Sequence, residues 1–324
     1  MMRKSLYGVL VLAALVACNK EVGVKKEAKS PITFDNSFVE IKTRAVITTD
    51  NIDKFDVWAY MDDTEAVVLD NERVTKNPDN TWSYENLQYW TANHTYYFGA
   101  VAPVDHSNIE VDTSNATEYG LGKISITNDG TDDLIYASKS VKTGSDVVYN
   151  APEKVHLQFA HLLSRVKFTF TNGFPNQNTK VVVKDITMKA PKKASIDLSA
   201  GDWWSTNKWV VSEEGALLDF GDANGAAKIE KGGSAVSDTE CFNIPNSGDR
   251  VHEIKFTVVL YHGTYETPAY TEEITVPLTG QEFKIGKSYN FAATISGDSL
   301  GLYPIEFTVA VNSWDPEISN GLEL

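Results

Sequence analysis

From residue 45 onward, short runs of alternating apolar and polar residues follow one another, each broken by Asn, Asp, Gly or Pro. A period of two is that of a β-strand with one buried face, and no stretch sustains the period of a long helix. The pattern excludes helical bundles, and also α/β folds, whose parallel strands need helices between them. FDVWAY (55–60) sets Phe55, Val57 and Ala59 on one face. TWSYENLQYW, TYYFGAVAP, KISIT and LIYAS follow, with the turn-rich NDGTDD between the last two. The second half opens with KVHLQFAHLLSRVKFTFTN and continues through KVVVKDITMKA, EIKFTVVLYHG, TEEITVPL, YNFAATIS and PIEFTVAVNSWD. So many short strands at regular spacing predict an all-β chain built of β-sandwiches.

About 280 residues exceed what one sandwich usually holds, so two domains are expected. The turn residues of YNAPEK (149–154) mark the boundary, giving an N-terminal sandwich over 45–152 and a C-terminal one over 153–324. Val155 to Asn172 either opens the second domain or closes the first, and HLLS within it is compatible with a short helical turn.

The chain begins MMRKSLYGVLVLAALVAC. Arg3 and Lys4 followed by an apolar run from Leu6 to Val16 form a secretory signal over residues 1–17, too short to span a bilayer. Leu15-Val16-Ala17-Cys18 matches a bacterial lipobox, which makes Cys18 the expected lipidation site and membrane anchor. Two or three acyl chains hold stably where one would not. The Lys-, Glu- and Gly-containing residues 19–31 then read as a flexible tether.

Cys241 is the single remaining cysteine, so no internal disulfide is available to the exported protein, and a small buried hydrophobe is the expected role. The net charge of −15 comes without a basic stripe or tail, which disfavours nucleic acid as a partner.

No catalytic constellation emerges. The six histidines lack metal spacing, and His156 and His161, five apart, fall on opposite strand faces as structural residues. The adjacent carboxylates Asp62-Asp63, Asp132-Asp133, Glu213-Glu214 and Glu272-Glu273 read as solvated turns or edge protection. NDGTDD is read as a turn, because it lacks the spacing of a Ca²⁺-binding loop. Nucleophile-elbow, dinucleotide and P-loop motifs are missing from the sequence, so no enzyme activity, cofactor or metal is expected. Aromatic residues offer the rival signal. Trp82, Tyr84, Tyr89, Trp90, Tyr96 and Tyr97 cluster in the first half, where they either form sandwich core or stack on sugar rings. Trp203, Trp204 and Trp209, in the polar stretch GDWWSTNKW, either pack in the core or stack on sugar rings as a glycan contact.

Taken in order, the lipobox Cys18, KTRA (42–45), FDVWAY, TWSYENLQYW, YYFGAVAP, VHLQFAHLLSRVKF, FKIGKSYNFAATI and IEFTVAVNSW resemble the fimbrillin family of Bacteroidales. That family comprises major and minor fimbrial subunits and their Mfa-like relatives. The resemblance implies two tandem transthyretin-like β-sandwich domains and export as an outer-membrane lipoprotein. It also implies cleavage by an arginine-specific surface protease and assembly with other fimbrial subunits into a cell-surface fimbrium serving adhesion. By position, Arg44 would precede the cut and Ala45 would become the new N-terminus, so that residues 18–44 hold the lipidated tether and a removable strand. A strand donated by another subunit would fill the groove left behind.

The residues themselves fit this scheme. Arg44 lies on the polar side of the alternating run VEIKTRAVITT (39–49), just beyond the tether. Ile32, Phe34, Phe38, Val39 and Ile41 make the upstream segment apolar enough to plug a groove. PIEFTVAVNSW sets Ile305, Phe307, Val309 and Val311 on one face, the pattern of a strand that adds to an open edge. Such a strand serves equally as the last strand of its own sandwich. The alternative function is a non-polymerising surface lipoprotein that binds glycan or host protein through exposed aromatics.

Overall fold

The computed structural model describes residues 29–38, 52–62, 66–202, 208–297 and 305–313. Among the described residues the regular structure is all strand. In chain order the strands are β1 (Phe34–Phe38), β2 (Lys54–Met61), β3 (Val67–Lys76), β4 (Trp82–Ser83), β5 (Thr95–Ala102) and β6 (Ile109–Asp112). Next come β7 (Lys123–Thr127), β8 (Ile135–Lys142), β9 (Val155–His161), β10 (Ser164–Asn172), β11 (Thr179–Asp197) and β12 (Trp209–Asp219). The last are β13 (Ser234–Val236), β14 (Cys241–Asn243), β15 (His252–His262), β16 (Tyr270–Leu278), β17 (Lys287–Ile295) and β18 (Phe307–Ser313).

Three sheets result. The first runs β1-β9-β8-β5-β2-β3-β4, antiparallel throughout except for β1 beside β9. Its central strands β2 and β5 are buried on both faces. Phe55, Val57 and Ala59 of β2 enter one core, whereas Trp58 and Tyr60 enter another. FDVWAY is therefore a doubly covered strand, which explains why it is nearly all apolar. Gly99 in the neighbouring β5 gives the second face room: a methyl group there would overlap the Leu121 side chain.

The second sheet runs β16-β15-β11-β7-β6, with β12 also on β11. β11 is 19 residues long and bridges the two halves of the molecule. Its first part pairs with β15 and its last residues with β7, while β12 pairs from Thr187 to Ile196. The register slips between Ala190 and Ala194, where Pro191 supplies no amide donor. The third sheet runs β13-β10-β17-β18, with β14 also on β10. Phe168, Phe170, Phe256 and Phe291 of the second and third sheets meet in the C-terminal core, a β-sandwich. Leu121, Ile124, Tyr136 and Ile196 fill the space between the first and second sheets.

By sheet membership β9 belongs to the first sheet and β10 to the third, so the stretch from Val155 to Asn172 is divided between two sheets. The chain passes through Leu162 and Leu163, both fully buried in a bend rather than a helical turn, into β10. The halves also share the second sheet, since β6 and β7 come from the N-terminal half and pair onto β11.

Candidate functional site: the N-terminal seam

The first sheet curls until β1 and β4, its two ends, touch. The N-terminal segment closes this seam. Its apolar alternation places Ile32 and Phe34 in the core at 0% and 2% exposure. On one flank the Ile32 amide donates to the Gln88 carbonyl at 2.9 Å, and the Trp90 amide donates to the Ser30 carbonyl at 3.0 Å. On the other, the Val155 amide donates to the Thr33 carbonyl at 2.7 Å, and β1 runs parallel to β9 from Phe34 opposite Val155 to Phe38 opposite Phe159. The Tyr84 hydroxyl clasps the first flank, donating to the Ile32 carbonyl at 2.9 Å and accepting from the Gln88 amide at 3.1 Å. Burial raises its pKa above the usual phenol value.

Phe34 packs edge-on to Phe55, Tyr84 and Phe98, with centroids 5.8, 5.7 and 6.1 Å away. Burying Ile32 and Phe34 contributes about 3–6 kcal/mol, at ~1.5–3 kcal/mol per side chain. The closure is imperfect. The indole N–H groups of Trp82 and Trp90, in the same core, are buried without an acceptor, each at a cost of ~1–3 kcal/mol. The N-terminal segment is thus held by two hydrogen-bonded flanks and by the buried side chains of Ile32 and Phe34.

Cys18, Arg44, Ala45, Trp203, Trp204 and the run 39–49 lie outside the described residues. The C-terminal strand is described. Ile305 is buried, and Phe307 packs 5.7 Å from Phe168 and 6.0 Å from Phe170. Val309 and Val311, on the same face, are 40% and 49% exposed. β18 pairs antiparallel with β17 and thus forms the last strand of its own sandwich. Trp209, read as either core or glycan contact, is buried in the core between the first and second sheets, and its indole donates to the Leu162 carbonyl at 3.0 Å.

Asp132 and Asp133 are a second correction. Both are buried rather than solvated, Asp132 against His106 at 2.7 Å and Asp133 against His161 at 2.8 Å. A histidine 26 or 28 residues away in sequence gave no local signal of either pairing. His156 is exposed and His161 buried, on opposite faces of β9 as their spacing predicts. The Cys241 thiol is buried and donates to the Asp219 carbonyl at 3.1 Å, and burial pushes its pKa up to about 12. Trp82, Trp90 and Tyr96 belong to the core, whereas Tyr89 is exposed. The pairing of residues 88–90 with the N-terminal segment went unforeseen, for NLQYW carries no alternation that marks it as a seam edge.

A search of curated proteins gives no significant match. Among solved structures, a fimbrial protein from Bacteroides vulgatus superposes with a TM-score of 0.63 at 18% identity, covering 88% of this chain and 99% of its own. A candidate cell adhesion protein from Bacteroides ovatus gives 0.53 at 18% identity, covering 90% and 99%. At such identities these likenesses speak for the fold. The fimbrillin-like family model matches residues 43–314, a span that contains β2 through β18. With the match spanning both halves and all three sheets, the chain belongs to the fimbrillin-like family.

Proposed function

We propose that the protein is a non-enzymatic fimbrial subunit that assembles by strand replacement at the N-terminal seam and serves adhesion at the cell surface. The observation that carries this reading is the two-sided pairing of residues 30–38, with Ile32 and Phe34 inside the core. This segment lies between the lipobox cysteine, Cys18, and Arg44. Lipid on Cys18 would hold the precursor at the outer membrane, and cleavage between Arg44 and Ala45 by an arginine-specific protease would detach the tether and the seam strand together. The opened seam would then expose two strand edges and an aromatic-lined groove, a surface that binds an extended strand.

β18 is the donor we favour. In its own sandwich it leaves Val309 and Val311 exposed, so its apolar face is only partly used. In a neighbour's seam Ile305, Phe307, Val309 and Val311 would all have apolar partners. The two halves would correspond to the transthyretin-like domains of the family. Surface-sheared material should begin at Ala45 by N-terminal sequencing and run as detergent-resistant ladders. A mature protein that begins at Cys18, with no ladders, would refute the scheme.

A further inference from the structure

We propose that the rim where the N-terminal segment enters the seam seats the body of the next subunit, and that the replacing strand runs in the same direction as β1. The inference rests on the seam being an exchange site and adds the direction and the docking surface.

The rim consists of Leu87 and Tyr89 on one side and Val148 and Tyr149 on the other. All four are exposed, Tyr149 at 88%. Residues 29–31 lie between them. The Ser30 hydroxyl donates to the Val148 carbonyl at 3.5 Å, and the Lys29 ammonium sits 5.7 Å from the centre of the Tyr89 ring. Excision of the N-terminal segment therefore bares Tyr89 and Val148 further, in the same event that opens the groove. Large, partly apolar tyrosines of this kind supply much contact area at small entropic cost and anchor protein interfaces.

Direction follows from what stands at each end of the groove. β9 runs from Val155, beside the rim, to His161, about 20 Å further at ~3.3 Å per residue. Its far end continues through the buried Leu162 and Leu163 into β10, so the subunit's own C-terminal sandwich occupies that end. A donated β18 is joined to its body at its N-terminal end, since β17 precedes it. Running opposite to β1, the donor would bring its body against the acceptor's own second sandwich. Running with β1, its body arrives at the rim, where exposed apolar side chains meet it. The occupant is thus the C-terminal sandwich of a second copy of this chain.

Two measurements on the processed full-length subunit test this. His156 and residues Glu306, Thr308, Ala310 and Asn312 are exposed, so cysteines there leave the cores intact. A His156→Cys acceptor should form an intersubunit disulfide with Glu306→Cys or Thr308→Cys, while cross-linking to Ala310→Cys or Asn312→Cys instead would overturn the direction. The double variant Tyr89→Ser/Tyr149→Ser should slow ladder formation at least about tenfold, with the melting temperature of the unassembled subunit unchanged. Tyr149→Lys alone, at a fully solvated position, should do the same in part, whereas Tyr265→Ser, exposed elsewhere, should not. Wild-type rates from the rim variants would overturn the docking surface. Failure of the processed wild type to form any ladder would overturn the exchange reading, and this inference with it.

Discussion

Phe34 stands edge-on to Phe55, their ring centroids 5.8 Å apart and their planes at 85°. A residue of the N-terminal segment thus completes an aromatic cluster whose other members belong to the body of the first sheet. Phe34→Ala should destabilise the unprocessed protein by about 3–5 kcal/mol, the usual loss for a buried phenylalanine. Under the proposed cleavage after Arg44, the processed variant lacks the segment and should melt as the processed wild type does. Thermal denaturation of the two forms side by side reads the difference, and equal losses in both would place Phe34 in the mature subunit.

The pair of His161 and Asp133 is buried on both sides, with 2.8 Å between Nδ1 and Oδ1. Asp133→Ala removes the buried carboxylate partner of the ring, at a cost of about 1–3 kcal/mol. Urea unfolding should show this as a lower midpoint with an unchanged slope. A shift below 0.5 kcal/mol, a surface-like value, would contradict the burial of the pair.

Acid should weaken the C-terminal sandwich through His252. Burial lowers its pKa below the ordinary histidine value, the Arg250 charge adds to this, and the Lys189 carbonyl opposes it at 3.1 Å from Nδ1. Asn246 Oδ1, 3.5 Å from Nε2, and the Phe283 ring complete its surroundings. Above pH ~6.5 the imidazole is neutral folded and unfolded, and contributes no pH dependence. Below that, the unfolded chain takes up the proton first, so stability falls as pH drops toward the lowered folded value. His252→Gln should flatten this part of a stability-against-pH profile between pH 7 and 5, and an unchanged slope would count against it.

Cys241 should resist alkylation in the native state. Its thiol is buried, donates to the Asp219 carbonyl and has a pKa pushed up to about 12, so almost no thiolate exists at neutral pH. Mass spectrometry after iodoacetamide should find it unmodified until denaturant is added. Labelling at native rates typical of a free surface thiol would refute the placement.

The strands were legible because their signal is local. Phe168 and Phe170 in β10, and Ile254, Phe256 and Val258 in β15, alternate inward just as the sequence pattern implies. What local pattern missed depends on residues far apart in the chain. Nothing within FDVWAY shows that Trp58 and Tyr60 meet a second sheet. The apolar residues of SPITF read as a plug, but its flanks, 88–90 and β9, lie more than fifty residues downstream. Trp209 sits in a polar stretch and is buried because Leu162, brought alongside by the fold, accepts its indole proton.

The 19 residues of β11 have a mechanical consequence. Because this one strand is hydrogen-bonded to β7 in one half and β15 in the other, the halves are not beads on a string. A pull along the molecule loads a continuous covalent spar and shears its ladders all at once, instead of peeling two bodies apart across a soft joint. Such a chain resists bending about its middle, and in the proposed filament any compliance would be concentrated at the junctions between copies.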